Sequence, residues 1–132
     1  MRIVDASVVL QWLLEQPSAR SREILEGQLN GSEPLVAPEL LNYEVGNVLV
    51  TKVKLTSRDA SELFGHFIDL GIETYSLGAD EYQTSLDIAC RYRLTVYDAS
   101  YLALALALEV KLVTADKRLA TRAGPLKTVE GI

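Results

Sequence analysis

One cysteine in 132 residues, Cys90, excludes an internal disulfide and the several thiolates of a structural zinc site. Its expected place is the core, as a small apolar residue. One histidine, His66, excludes a His-rich metal centre. It falls in a polar helical segment away from every acidic motif described below, so a surface or packing role is expected rather than that of a general base. The most apolar stretch, Ala99 to Leu108, is too short for the roughly 20 residues that cross a bilayer, and Asp98, Glu109 and Lys111 border it. The opening Met1-Arg2-Ile3-Val4-Asp5 breaks the apolar heart of a secretion signal with an early acid, so the expected compartment is the cytoplasm, with no membrane partner. Positive charge is also scarce. A net charge of −5 is unfavourable for a nucleic-acid-binding chain, because such binding usually relies on Lys and Arg at phosphates. Four carboxylates committed to cations would bring the rest of the surface close to neutrality.

What is present points to one folded unit over residues 1–132. Apolar residues make up 48% of the chain, with no Pro-rich, Gly/Ser or low-complexity tract to mark a linker, and no internal repeat. A domain of roughly 150 residues buries about 68–70% of its unfolded surface, enough for one self-sufficient core. Arg2–Asp5 reads as a strand, followed by helical spacing at Val8, Val9, Trp12 and Leu13. Ser18 is placed to cap a second helix that Asn30-Gly31-Ser32 ends, and Leu35–Ala37 is a second strand. Pro38 suits the first turn of a helix through Lys52. Thr56-Ser57-Arg58-Asp59 opens another helix that stops near Gly71, and Ile72–Tyr75 alternates like a strand. A helix from about Asp80 to Tyr92 follows. Leu102–Leu108 has a period of two, but its Leu and Ala residues are helix formers, so it is predicted as a central buried helix. Lys111–Thr114, Lys117–Ala123 and Lys127–Val129 complete the chain as strand, helix and edge strand. Strands alternating with helices predict an α/β fold, a parallel sheet of four to five strands flanked by helices on both faces.

Four acids stand out. Asp5 and Asp116 each follow a strand, where parallel α/β sheets place their ligands, although either may equally serve as the N-cap of the next helix. Asp98, between Val96-Tyr97 and the most apolar helix, reads as a cap or as a carboxylate at the sheet edge. Glu44 lies four residues from both Leu40 and Val48, near the apolar stripe of its helix, where an acid is costly unless paired or metal-bound; Asn47 shares its face. If folding gathers these acids, their mutual repulsion raises their pKa values, and a divalent cation relieves it. Oxygen-only donors suit Mg²⁺, with Mn²⁺ able to substitute, and phosphodiester hydrolysis is the chemistry such a site supports.

The segments carrying these acids resemble those of the PIN-domain nucleases, specifically the VapC toxins of VapBC toxin–antitoxin pairs. The resemblance rests on Ile3-Val4-Asp5-Ala6-Ser7, Pro38-Glu39-Leu40-Leu41 with Glu44 beyond it, Tyr97-Asp98-Ala99-Ser100-Tyr101-Leu102-Ala103 and Thr114-Ala115-Asp116-Lys117-Arg118-Leu119, and spans nearly the whole chain. It implies a PIN-like three-layer sandwich and an acidic catalytic and metal site of Asp5, Glu44, Asp98 and Asp116. Ser7, Asn47 and Thr114 would be polar support. It further implies an RNA substrate cleaved in single-stranded or looped regions, a VapB-type antitoxin and a homodimer. Lys117 and Arg118 stand where many members carry a further acid, which leaves open one metal or two; with Arg122 they are candidate RNA-phosphate contacts or a solvated helix face. The tyrosines and Trp12 are expected in the core or at an interface rather than as base-stacking platforms. A PIN nuclease of RNA processing is the alternative within the family. A phosphoacceptor signalling domain fits less well, because Ala6 and Ser7 follow Asp5 where an acidic pair is needed.

Overall fold

The computed structural model describes residues 1–132. Five parallel strands, β1 (Arg2–Val4), β2 (Leu35–Pro38), β3 (Glu73–Tyr75), β4 (Leu112–Thr114) and β5 (Val129–Gly131), form one sheet in the order β3-β2-β1-β4-β5. Successive strand residues point to opposite faces, and Ile3, Val4, Leu35, Val36, Ala37, Leu112 and Val113 are all buried. Both faces of the three central strands are therefore covered, as a parallel sheet requires. Helices α1 (Ala6–Leu14), α2 (Ala19–Asn30), α3 (Leu40–Thr51) and α4 (Ser57–Asp69) pack on one another as one layer. Helix α5 (Ala79–Tyr92) lies along α6 (Val96–Leu108), which crosses β1, β2 and β4. A last short helix, α7 (Lys117–Arg122), leads through a 3₁₀ turn at Gly124–Leu126 to β5. No helix is long and apolar enough to cross a membrane.

The chain runs outward from β1 through β2 to β3, then returns to place β4 on the other side of β1. The reversal opens a crevice beyond the carboxyl ends of β1 and β4, the position at which open α/β sheets bind ligands. Ile3 and Val4 pair with Leu112 and Val113, so the next residue of β1's path, Asp5, comes beside Thr114.

Several local readings change. Pro38 closes β2 instead of opening α3, because its carbonyl side still pairs with β3 through Tyr75; α3 begins at Leu40. Helix α6 starts a turn before the Leu/Ala run: Thr95 is its N-cap, accepting from the Asp98 amide at 3.1 Å, so Asp98 is neither cap nor strand end but a first-turn residue. Residues Ala99 to Ala105 of this helix are buried, as its all-round apolarity requires. Strand β5 begins at Val129 rather than Lys127. Cys90 is exposed, since the inward positions of α5 are taken by Ser85, Ile88 and Ala89. His66 is exposed on α4, and Trp12 is half-buried, its indole donating to Ser21 Oγ at 2.8 Å. Gly31 ends α2 in the left-handed region at φ 77°, where a side chain would be strained.

Candidate active site

Asp5, Glu44, Asp98 and Asp116 line a single cleft together with Ser7, Asn47, Lys52 and Tyr101. Each acid arrives by a different route. Asp5 leaves β1 as the N-cap of α1, accepting from the amides of Ser7 at 3.0 Å and Val8 at 3.4 Å. The cap reading of this residue is realised, and the same carboxylate lines the cleft. Asp116 likewise caps α7 through the amides of Arg118 and Leu119. Glu44 reaches in from the middle of α3, and Asp98 from the first turn of α6.

Asp5 is 7% exposed. Its Oδ1 takes the two amides and the Ser7 hydroxyl, while Thr114 Oγ1 donates to Oδ2. A carboxylate has about four lone-pair sites across two oxygens, so the spare capacity lies on Oδ2. The two hydroxyls are themselves fixed: Ser7 Oγ accepts from the Ala115 amide at 2.8 Å and Thr114 Oγ1 from the Asp116 amide at 3.0 Å. Ser7 and Thr114 therefore tie the ends of β1 and β4 together and lock the Asp5 plane. Burial nonetheless pushes the Asp5 carboxyl up to about 6, outweighing these hydrogen bonds, with the charge of Glu44 adding to the rise.

Glu44 is half-buried, and burial raises its pKa against the hydrogen bond that Tyr101 donates to Oε1 at 2.5 Å. Burial also raises Asp98, with the charge of Asp116 working in the same direction and Thr95 and Arg118 opposing it. Tyr101 is 1% exposed, and burial first, then the Glu44 charge, keep its phenol protonated far above the ordinary value. Sequence reasoning missed Tyr101 because it sits inside an apolar helix and its partner lies on another element. Lys52, just past the end of α3, also lines the cleft.

The basic residues divide. Arg118 Nη2 stands 4.0 Å from Asp98 Oδ2 at the rim. Arg122 is turned away, its Nη1 donating to the Arg93 carbonyl at 2.5 Å beyond the end of α5, and Lys117 is exposed outside the cleft lining. Of the candidate phosphate contacts, only Arg118 keeps a place beside the acids.

The donor set is all oxygen and strongly anionic, with a buried carboxylate that no adjacent cation neutralises. That chemistry fits a hard divalent ion. The acids surround one cleft, although no three of them stand close enough to form a closed cage by themselves.

A family model described as the PIN domain matches residues 2–125. Ribonuclease VapC3 of Pyrobaculum aerophilum is 32% identical over 133 residues, covering 96% of this chain and 97% of that protein. The chain belongs to the PIN-domain family, among its VapC members. Ribonuclease VapC1 of Mycobacterium tuberculosis is 36% identical over 128 residues, with 92% and 90% covered. The same fold occurs in a toxin–antitoxin complex from Klebsiella pneumoniae, with a TM-score of 0.72 at 15% identity over the full length of both chains. A crystal structure from Pyrobaculum aerophilum superposes with a TM-score of 0.65 at 24% identity, covering 92% of this PIN chain and 83% of the other.

Proposed function

We propose that this PIN protein is an endoribonuclease that hydrolyses RNA phosphodiester bonds at the acidic cleft with Mg²⁺, or Mn²⁺ in its place, and serves as the toxin of a toxin–antitoxin pair. The observation that carries the reading is the convergence of four carboxylates, from segments up to 111 residues apart, on the topological switch point of the sheet. The ribonuclease names of the VapC relatives support the substrate, and the toxin–antitoxin title of a structural neighbour supports a VapB-type antitoxin as partner.

Asp5, Asp98, Glu44 and Asp116 would hold the ion together with water, Asp5 through Oδ2, the oxygen that carries fewer hydrogen bonds. When bound, such an ion polarises the phosphate and activates water for attack. The chain itself orients the ligands: Ser7 and Thr114 fix Asp5, Tyr101 fixes Glu44, and the Thr95 cap fixes the turn that carries Asp98. Burial raises the pKa values of Glu44 and Asp98 in the metal-free cleft, and a bound cation would relieve that cost. Lys52 and Arg118 supply positive charge at the rim for phosphate. Homodimerisation belongs to the same proposal, and the exposed Val50 of α3, Val53 of the following loop and Ile68 of α4 offer apolar surface for a second copy.

The test is incubation of the purified chain with single-stranded RNA under chelation and with Mg²⁺ or Mn²⁺ restored. Cleavage is expected only with the ion, and undiminished cleavage in excess chelator refutes it. Asp98→Asn is expected to lower cleavage by more than the roughly 10–100-fold that losing an outer-shell partner costs, with the folded far-UV spectrum retained.

A further inference from the structure

A second concavity of about 280 Å³ opens on the same edge of the sheet as the acidic cleft, beyond the ends of β2 and β3 where the cleft lies beyond β1 and β4. The two share their walls. On α6, Val96, Tyr97 and Ser100 line the concavity while Asp98 and Tyr101 line the cleft; Glu39, just before α3, and Leu40, its first residue, lie at the concavity and Glu44 at the cleft. Tyr97 and Asp98, neighbours in the first turn of α6, line the concavity and the cleft respectively.

The lining is not that of a core. Tyr97 is 64% exposed and Tyr82 55%, large rings facing solvent over walls that include Leu77 and Tyr75. Beside this aromatic rim stands an exposed carboxylate that one side chain orients: Ser76 Oγ donates to Glu39 Oε2 at 3.1 Å, and the Glu39 amide donates to the Tyr75 carbonyl at 2.9 Å, tying the Glu39 backbone to β3. Aromatic faces beside a held acceptor are how single-stranded RNA bases are stacked and read on their edges. The volume lies just under the roughly 300–1,000 Å³ of sites for drug-sized ligands, which suits one ring system rather than an extended or helical peptide.

We propose that this concavity holds one unpaired base of the RNA next to the scissile phosphate, stacked by Tyr97 and Tyr82, with Glu39 selecting guanine. Guanine presents two adjacent N–H donors on its Watson–Crick edge, matching the two oxygens of a carboxylate. Adenine and cytosine present an amino group beside an acceptor nitrogen, and uracil one N–H flanked by two carbonyls, so each sets an acceptor against the carboxylate. The proposal rests on the ribonuclease reading and gives its cleft a base preference.

Two measurements separate the failures. The first follows backbone amide shifts of the wild-type protein during titration with the four nucleoside 5′-monophosphates, without any need for cleavage. GMP is expected to shift amides of Tyr75–Ser76, Tyr82 and Val96–Ser100 at lower concentration than the others, and Glu39→Gln to erase that difference. Shifts confined to other surfaces, or equal for all four nucleotides, overturn the proposal. The second compares cleavage of single-stranded oligoribonucleotides carrying guanine, each other base or an abasic site on either side of the cut. Abasic substitution at one of those positions is expected to lower kcat/KM about tenfold or more in the wild type, and to have little effect in Tyr97→Ala. Indifference of the wild type to the abasic site overturns the pocket while leaving the nuclease intact. GMP binding without RNA cleavage overturns the nuclease reading while leaving the pocket. If the concavity accepts a partner peptide but none of the nucleotides, it is a protein-docking site and the base assignment falls.

Discussion

The Asp5 carboxylate caps α1 and faces the acidic cleft while almost wholly out of water, and its pKa near 6 has a consequence for stability. The folded value lies above the ordinary 3.8. Protonation therefore favours the folded state: the stabilisation is complete below about 4 and lost as pH rises through about 6, so at neutral pH the metal-free fold carries an unfavourable buried charge. That rise corresponds to about 3 kcal/mol, part of which an amide would forfeit through weaker hydrogen bonds to Ser7 and Thr114. In chelated protein, Asp5→Asn is expected to raise stability at pH 7.5 by about 1–2 kcal/mol while abolishing cleavage. Urea unfolding at pH 7.5 and pH 4.5 checks it: the gain should shrink at the lower pH, and a loss at both would show that Asp5 is chiefly a cap. Tyr101→Phe is the companion case. It leaves the ring packing in place but frees Glu44, so cleavage should fall about 10–100-fold with Tm little changed, read from kinetics and melting on one preparation. Asp5 and Asp116 were legible because each closes a short strand-like run, Arg2-Ile3-Val4 and Leu112-Val113-Thr114-Ala115. Tyr101 was not, because its phenol is hidden in an apolar run and meets an acid 57 positions away.

At the level of elements, the misread boundaries share a cause. The helix predicted over Leu102–Leu108 begins instead at Val96, because the Thr95 cap starts it there despite the strand propensity of the exposed Val96 and Tyr97. Pro38 has the fixed φ suited to a helix start, but β2 needs no amide from it at that pairing and keeps it as a last strand residue. By contrast, the β1, β2 and β4 cores were readable as short apolar runs, since burial on both faces leaves no polar alternation. The Thr95 cap positions Asp98 as well as starting the helix. Thr95→Ala is expected to cost about 1 kcal/mol in chemical denaturation, with Thr95→Ser restoring most of it. If alanine is neutral, the turn bearing Asp98 is held by packing of α6 alone.

For the molecule as a whole, the edge strand β5 is joined to distant elements by charge. Glu130 accepts from Arg20 of α2, with Nη2 at 2.7 Å from Oε1, and from Arg2 at the start of β1; Arg2 also approaches Glu33 at 3.3 Å. Burial alone would raise the Glu130 carboxyl, but the Arg20 hydrogen bond and the charges of Arg2 and Arg20 outweigh it and hold it below its usual range. Glu33 is held low by the amino terminus that hydrogen-bonds it. For these acids the sign is the reverse of that at Asp5: a depressed folded pKa stabilises above the unfolded value of about 4.5 and the contribution is lost as pH falls through the folded one. Isolated surface pairs contribute about 0.2–1 kcal/mol, and a network in which one carboxylate serves two arginines belongs at the upper end. Glu130→Gln is therefore expected to lower Tm by about 2–4 °C at pH 7 and low salt, by less in 1 M salt and by almost nothing near pH 3. Cleavage at permissive temperature should be unchanged, because the network is not among the residues lining the acidic cleft. An equal Tm loss at pH 3 would mean that Glu130 supports β5 by packing rather than by charge.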